Sequence, residues 1–244
     1  MKRATILLAL LVIATSAFAQ IKDPKATEVW DPVPRKVTPG ATNSQPPSDA
    51  IVLFGGTNLD EWASMKDQGS AKWDVANGII TVKPGSGGII TKRKFGDIQL
   101  HIEWRSPLKV EGEGQGRGNS GVFIQERYEI QVLDSYESKT YSNGQAGALY
   151  KQSIPLVNAT RPHDQWETYD MIYSAPVFNK DGIKVKSGYI TVIHNGVIIQ
   201  NHQEILGTTE YIGLPKNEAH GKASIFLQDH GNTTSFRNIW LREL

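Results

Sequence analysis

The chain has 244 residues, a formal net charge of +1 and no cysteine. A near-neutral chain without a cluster of lysine or arginine lacks the electrostatic footprint of a nucleic-acid or membrane-surface binder, so we expect no nucleic-acid partner. Disulfide bonds are excluded, but a chain of this length can bury a complete apolar core without them.

The first 19 residues predict a secretory signal peptide. Two basic residues, Lys2 and Arg3, precede an apolar run over residues 4–13, and residues 17–19 read Ala-Phe-Ala, a small-x-small cleavage site. The apolar run is too short for a transmembrane anchor, so we expect no integral membrane segment. Cleavage would remove both basic residues, change the formal charge to −1, and give a periplasmic or secreted protein.

Residues 20–49 predict an extended arm or linker. They are rich in Pro, Thr and Asn and show no apolar period. Two alternatives stay open for this segment: disorder, or an arm laid over the following domain with Val29 and Trp30 tucked in.

Residues 50–244 predict a single all-β domain. Short apolar or alternating runs follow one another, and Asn-Gly pairs at residues 77–78 and 195–196 mark two hairpin turns. Residues 225–244 contain two alternating runs joined by Gly-Asn-Thr-Thr, which predicts a final hairpin. No long amphipathic helix and no internal repeat is visible. We therefore expect a two-sheet antiparallel sandwich of the jelly-roll type.

Polar side chains share one face on three of the predicted strands. Because side chains alternate along a strand, Glu103 lies on the same face as Arg105, Glu129 on the same face as Gln131, and Gln228 on the same face as His230. For any one strand this is also the pattern of an ordinary solvent-facing surface. If the three strands belong to one concave sheet, these residues line a single groove, with Arg237 close by.

A series of short motifs runs through the predicted domain. The motifs are Ile51–Leu59 with Trp62, Glu103–Arg105, Asn119–Phe123, Tyr128–Asp134, Gly147–Tyr150, Trp166–Tyr169, His194–Gly196, Leu227–Gly231 and Phe236–Ile239. In this order they resemble the 3-keto-disaccharide hydrolase domain family, and the resemblance covers about Ala50 to Leu244. Two departures from the family pattern, Gly55-Gly56 and His163-Asp164, fall in turns. The resemblance implies a concanavalin A-like jelly roll and cleavage of glycosides that carry a ketone at C3 of the sugar.

The chemistry of such a substrate suggests roles for the polar residues. A ketone at C3 acidifies the C2 hydrogen, so elimination needs a base, a stabiliser for the enolate oxygen and an acid for the leaving group. We expect His230 and either Glu129 or Asp134 to transfer protons, and Arg237 or Arg105 to stabilise the enolate. Glu129 and Asp134 lie five residues apart on one strand, which disfavours the paired carboxylates of a conventional glycosidase. The residues expected to bind substrate are Glu103, Arg105, Asn119, Gln131, Tyr150, Gln228 and Arg237.

Two loops are expected to border the groove, a glycine-rich loop and a second, longer loop. Residues 111–119 lack the lysine and helix of a phosphate-binding loop and predict a turn or lid. The loop over residues 134–147 carries Tyr136 and Tyr141, which suit stacking on sugar rings.

Cofactors and alternative functions stay open at the sequence level. No cofactor is certain, and a structural calcium or other divalent ion is not decided, because no metal-ligand motif occurs. A non-catalytic carbohydrate-binding module is the chief alternative to an enzyme, and a surface adhesion protein is a third. The sequence does not decide the oligomeric state, the sugar, the aglycone, or a hydrolase against a lyase product.

Overall fold

A computed structural model describes residues 22–244, and the predicted signal peptide lies outside the described residues. The described residues fall into two units, residues 22–36 and residues 37–244. The second unit therefore includes residues 37–49 of the predicted arm.

The described part of the first unit, residues 22–36, contains one short 3-10 helix, Pro24–Thr27. The side chain of Asp23 accepts a hydrogen bond from the backbone N–H of Lys25 and so caps its first turn. Val29 and Trp30 are exposed.

The second unit is built almost entirely from short strands. Two further 3-10 helices, Gly114–Gly116 and Ser142–Gly144, lie in its loops. The strands are β1 (Ile51–Phe54), β2 (Trp62–Ser64), β3 (Asp74–Ala76), β4 (Ile79–Thr81), β5 (Ile89–Thr91), β6 (Ile98–Arg105), β7 (Ser120–Ile124), β8 (Tyr128–Val132), β9 (Glu167–Ser174), β10 (Val177–Phe178), β11 (Lys184–Lys186), β12 (Gly188–His194), β13 (Val197–Ile205), β14 (Phe226–Leu227) and β15 (Ser235–Glu243).

These strands form two large antiparallel sheets and one small ribbon. The eight-stranded sheet has the order β13-β12-β9-β6-β15-β4-β3, with β1 also paired to β15. The five-stranded sheet has the order β2-β5-β14-β7-β8, and β10 pairs with β11. The prediction of an all-β, two-sheet antiparallel jelly roll is confirmed.

The core lies between the two large sheets and follows the period of two in the sequence. On β6, Ile98, Leu100, Ile102 and Trp104 are buried in the apolar core, which places the alternate residues on the outer face. On β8, Tyr128, Ile130 and Val132 belong to the same core. Glu129 and Gln131 therefore point away from it, on the outer face of the five-stranded sheet.

The two Asn-Gly turns form as predicted. Asn77 and Gly78 join β3 to β4 with φ values of 52° and 77°, and Asn195 and Gly196 join β12 to β13 with 53° and 83°. Two successive residues with positive φ make the tight turn that suits the right-handed twist of the strands, and Asn-Gly tolerates it best.

The predicted hairpin at the end of the chain is wrong. Strand β14 pairs with β5 and β7 in the five-stranded sheet, whereas β15 pairs with β1, β4 and β6 in the eight-stranded sheet. The connection from residue 228 to residue 234 crosses between the sheets, a distance of about 10 Å that seven residues span easily. Alternation shows which side chains face the core, but it does not show which sheet a strand joins.

Candidate functional site

A cavity of about 500 Å³ lies over the outer face of the five-stranded sheet. Its wall combines residues of β7 and β8 with loop residues from four parts of the chain. The lining residues are Gln115, Asn119, Phe123, Glu129, Gln131, Tyr141, Tyr150, Lys151, Thr209, Tyr211, Gln228 and His230. Polar groups and aromatic rings in one concave site are typical of carbohydrate binding.

A glycine on β7 leaves room for the carboxyl group of Glu129. Gly121 lies opposite Gln131 in the pairing of β7 with β8, and Glu129 lies opposite Phe123. A Cβ atom added to Gly121 would lie 2.5 Å from Oε1 of Glu129. Any side chain at this position would displace the carboxyl group, so the sequence at residue 121 determines the shape of the cavity floor.

Glu129 is the one carboxylic acid among the described residues that line the cavity, and its pKa is strongly shifted. Its residue is 4% exposed, and no other described residue donates a hydrogen bond to its carboxyl group. Burial raises the pKa of Glu129 to about 8, because the ionised form loses its hydration and gains no partner. A carboxyl group with a pKa near neutral can both accept and donate a proton under ordinary conditions.

Two glutamine side chains of the cavity wall each have an amide oxygen that is buried without a hydrogen-bond partner. Nε2 of Gln115 donates to Oγ1 of Thr140 and to the carbonyl of Gly144, at 3.1 and 2.8 Å. Since a carbonyl can only accept, this fixes the amide of Gln115, whose Oε1 accepts from Nε2 of Gln131 at 3.0 Å. Oε1 of Gln131 and Oε1 of Gln228 are buried without a partner. Sugar hydroxyl groups are donors that would satisfy them.

Tyrosine rings surround a lysine on the opposite wall. The hydroxyl groups of Tyr141 and Tyr150 are hydrogen-bonded at 2.5 Å, and Nζ of Lys151 donates to the carbonyl of Tyr211 at 2.5 Å. Nζ of Lys151 lies 4.4 Å from the ring centroid of Tyr211 and 5.6 Å from those of Tyr141 and Tyr150. Burial, together with the contact to Tyr141, holds the pKa of Tyr150 well above its usual range, so this hydroxyl stays neutral.

The connection that crosses between the sheets brings His230 and Gln228 to the cavity. The carbonyl of Gln228 accepts from Oγ of Ser120 at 2.7 Å, and Oδ1 of Asn232 accepts from the backbone N–H of Asn119 at 2.8 Å. These two bonds fasten the crossing segment to the start of β7. His230 lies between the two attachment points and is exposed at the cavity wall.

Asp134 is not brought to this cavity. Its carboxylate accepts from Nε of Arg117 at 2.8 Å, and Nη2 of Arg117 also donates to the carbonyl of Tyr136 at 3.0 Å. These contacts tie the loop before β7 to the loop after β8. Asp134 lines only a separate space of about 90 Å³, so its position fits a structural ion pair rather than the predicted proton transfer.

Glu103, Arg105 and Arg237 also lie elsewhere, and the expectation of a single groove is wrong. They project from β6 and β15 of the eight-stranded sheet, whereas Glu129 and Gln131 belong to the five-stranded sheet. Nε of Arg237 donates to Glu103 at 2.6 Å, and the guanidinium groups of Arg105 and Arg237 lie over the ring of Trp166. The two outer faces of a sandwich point in opposite directions, so shared parity does not bring these residues together.

The pKa of Glu103 confirms this different environment. Burial alone would raise the pKa of this carboxyl group, but contacts with His101, Asn238 and Arg237 lower it to about 2. Glu103 is therefore a fixed anion within a polar cluster, unlike the unpartnered carboxyl group of Glu129.

Comparison with known proteins identifies the family. The family of 3-keto-alpha-glucoside-1,2-lyase-like domains matches residues 49–242. The chain belongs to this family. A comparison with curated proteins gave no match.

Solved structures agree with the family assignment. A "putative glycosyl hydrolase" from Parabacteroides distasonis ATCC 8503 is 52% identical, with a TM-score of 0.87 over 91% of this chain and 97% of that one. A second protein so described from the same organism is 18% identical, with a TM-score of 0.60 over 86% of this chain and all of that one. The first supports a carbohydrate-active function, and the second shows the fold alone.

Several residues that line this cavity were not predicted from the sequence. Lys151 directly follows the family motif Gly147–Tyr150, which is the one signal that could have identified it. Thr209 and Tyr211 lie in a segment without strand periodicity and give no signal. Gln115 and Tyr141 come from the two loops that were expected to border the groove, and both do line the cavity. Tyr136 does not line it.

Within residues 22–244, no three or more His, Cys, Asp or Glu side chains cluster closely enough to hold a metal ion. In that part of the chain, none of the helices has the length and apolar character needed to cross a bilayer.

Proposed function

We propose that the protein cleaves the glycosidic bond of 3-keto-glycosides by elimination across C1 and C2 of the sugar. Membership of the lyase-like family supports this substrate type, and a cavity of about 500 Å³ is large enough for a glycoside. A ketone at C3 acidifies the hydrogen on C2, so a base can remove it as a proton. The glycosidic oxygen on C1 lies β to the resulting carbanion and can then leave.

The base in this proposal is Glu129. The observation that carries the proposal is that Glu129 is the one carboxylic acid among the cavity-lining residues of the described chain, and that it is buried without a partner. Its raised pKa of about 8 makes the ionised form a stronger base than an ordinary glutamate. A buried, unpaired setting of this kind is how proteins prepare a carboxyl group for proton transfer.

Lys151 and Tyr150 are suited to stabilise the enolate oxygen. The arginines expected for this role, Arg105 and Arg237, lie on the other sheet, whereas Lys151 supplies a cation in the cavity wall. The neutral hydroxyl of Tyr150 adds a hydrogen-bond donor next to that cation. Fixed donors placed where negative charge develops are commonly the largest single contribution to catalysis.

His230 is the proposed acid for the leaving group. The C2–H bond breaks as Glu129 takes the proton, and the enolate forms. The ketone then re-forms, a C1–C2 double bond is made, and the C1–O bond breaks as His230 gives a proton to the departing oxygen. Water can add to C1 while a proton returns to C2, and the net result is then hydrolysis.

Conventional glycoside hydrolysis fits the cavity less well. That reaction uses two carboxyl groups on either side of the glycosidic bond. Glu129 has no second carboxyl group beside it among the described residues that line the cavity. A purely sugar-binding module would not need an unpaired buried acid, because burying one costs folding free energy.

Replacement of the two proton-transfer residues tests this function. We expect E129Q and H230A each to lower turnover of a 3-keto-glucoside by about 100-fold or more, the usual contribution of general acid–base catalysis. Substrate binding should weaken far less. The matched control is E103Q, which changes a buried glutamate of the other sheet and should leave turnover near the wild-type value. Near-normal turnover in E129Q and H230A would contradict these roles and favour a non-catalytic sugar-binding module.

A further inference from the structure

A loop with an apolar tip stands beside the cavity. Among the large apolar side chains of residues 37–244, the three most exposed are Leu214, Ile212 and Tyr211, at 84%, 82% and 73%. The next, Leu156, is 65% exposed. Residues 211–215 read Tyr-Ile-Gly-Leu-Pro and contain no charged side chain. Such a concentration of exposed apolar surface indicates a binding surface.

The neck of this loop is closed by its own hydrogen bonds, so the tip projects instead of folding back. The backbone N–H of Thr208 donates to the carbonyl of Lys216 at 2.9 Å, and Nζ of Lys216 lies 3.3 Å from Glu210. Gly207 permits this closure, because a Cβ atom there would lie 2.5 Å from the carbonyl oxygen of Lys216.

The same loop is fastened to the strand that carries the proposed base. Oγ1 of Thr209 accepts from the backbone N–H of Glu129 at 3.0 Å, and the backbone N–H of Thr209 donates to the carbonyl of Arg127 at 2.8 Å. The carbonyl of Tyr211 accepts from Lys151. Thr209 and Tyr211 themselves line the cavity, so the apolar tip is continuous with the space that holds the reacting sugar.

We infer that the tip formed by Tyr211, Ile212 and Leu214 is the aglycone subsite, and that it selects glycosides whose aglycone is a hydrocarbon group. This inference rests on the proposed function and names its substrate class. The polar floor, with the free acceptors of Gln131 and Gln228, suits the sugar hydroxyl groups. The hydroxyl of Tyr211 is the one polar side-chain group of the tip, whereas Ile212 and Leu214 can cover an alkyl chain or an aromatic ring and so exclude water from it.

The test compares two 3-keto-glucosides that differ only in the length of an alkyl aglycone, ethyl and octyl. Both leaving groups are simple alcohols, so the comparison isolates aglycone binding from leaving-group chemistry. We expect kcat/KM to be at least about tenfold higher for the octyl compound, the effect of burying a few methylene groups. The double variant I212S/L214S should lose this preference, because its kcat/KM for the octyl compound falls by about the factor that separates the two compounds in the wild type.

The control variant is I154S/L156S, which removes two exposed apolar side chains that lie outside the loop of residues 207–216. It should retain the octyl preference. An equal kcat/KM for the two compounds in the wild type, or a preference that survives I212S/L214S, would overturn the inference. A change of oligomeric state in I212S/L214S, measured by light scattering, would also overturn it and identify the tip as a contact between copies.

A binding measurement separates this inference from the proposed function. If the wild type cleaves neither compound, the proposed function fails, but the subsite can still be tested by titration calorimetry with octyl and ethyl glucoside. Tighter binding of the octyl compound that is lost in I212S/L214S would support an apolar subsite. Equal binding of the two compounds would contradict it.

Discussion

At the residue scale, the two buried glutamates Glu103 and Glu129 show how the surroundings of a carboxyl group set its pKa and therefore its role. Both lie on outer-facing positions of a strand, and both are nearly inaccessible to solvent. Glu103 is surrounded by donors and has a pKa of about 2, whereas Glu129 has none and its pKa is about 8. The first is held permanently ionised, and the second is prepared to exchange a proton.

The raised pKa of Glu129 predicts how stability depends on pH. The pKa of this carboxyl group rises from 4.5 to about 8 on folding. Below pH 4.5 the folded and the unfolded chain both hold the proton, so Glu129 does not lower the free energy of unfolding there. Between these values the unfolded chain has lost the proton and the folded chain keeps it, so the free energy of unfolding falls as pH rises. The variant E129Q lacks this effect. We expect its melting temperature to exceed that of the wild type increasingly from pH 5 to pH 8.5.

This pH dependence is checked by thermal unfolding of both proteins at a series of pH values. A constant difference in melting temperature across the range would mean that Glu129 is ionised in the folded protein. The measurement needs no substrate, so it tests the buried carboxyl group independently of the reaction.

Lys151 is predicted to act through its charge. We expect K151A to lower kcat/KM by about 100-fold, the typical loss on removing one donor to a developing oxyanion, and K151R to retain a large part of the activity because the cation remains. Borohydride added during turnover should trap no covalent adduct. A trapped adduct at Lys151, or near-normal activity in K151A, would contradict the electrostatic role.

At the element scale, local signals predicted the strands and tight turns, but not which sheet each strand joins. The hairpins at Asn77-Gly78 and Asn195-Gly196 form because the turn itself dictates the pairing. The segments on either side of residues 228–234 have equally good alternation and yet belong to opposite sheets. Glu103 and Glu129 were correctly predicted to lie on the polar face of their strands, but these strands belong to different sheets, whose outer faces point in opposite directions. Lys151, Thr209 and Tyr211 come from loops, where no periodic signal exists.

The segment over residues 37–49 belongs to the stretch whose composition predicts an extended arm or linker, with an arm laid over the domain as one alternative. The carbonyl of Ser44 accepts hydrogen bonds from Nδ2 of Asn238 and Nε1 of Trp240, at 2.8 and 3.0 Å. Nη2 of Arg242 pairs with Asp49 at 2.7 Å. The segment therefore covers part of β15 and satisfies two side-chain donors of the eight-stranded sheet.

Two truncations test the contribution of this segment. A chain that begins at Val37 should melt within a few degrees of the full mature protein, because every core side chain lies beyond this point. A chain that begins at Ala50 should melt about 5 °C lower or more, since Nε1 of the buried Trp240 loses its acceptor and Arg242 loses its ion pair with Asp49. Equal melting temperatures for the two truncations would show that the segment is a linker after all.

At the scale of the whole molecule, the outer faces of the two large sheets carry different features. The eight-stranded sheet carries a polar cluster on its outer face, in which Nδ1 of His101 contacts Asp170 at 2.7 Å and Arg237 pairs with Glu103. The five-stranded sheet carries the cavity, and loops from both halves of the second unit close around it. A sandwich core holds both faces rigid, which keeps the cavity residues in place for positioned proton transfer.

The fate of the C2 hydrogen tests the central claim most directly. A 3-keto-glucoside that carries deuterium at C2 is incubated with the wild-type protein in ordinary water, and the sugar product is analysed by mass spectrometry. Incubation of the substrate alone, and with E129Q, measures spontaneous exchange at this acidic position. The elimination route predicts that each turnover by the wild type removes the deuterium. Release of the aglycone with deuterium retained at C2 would contradict it, because the bond would then be broken without an enolate.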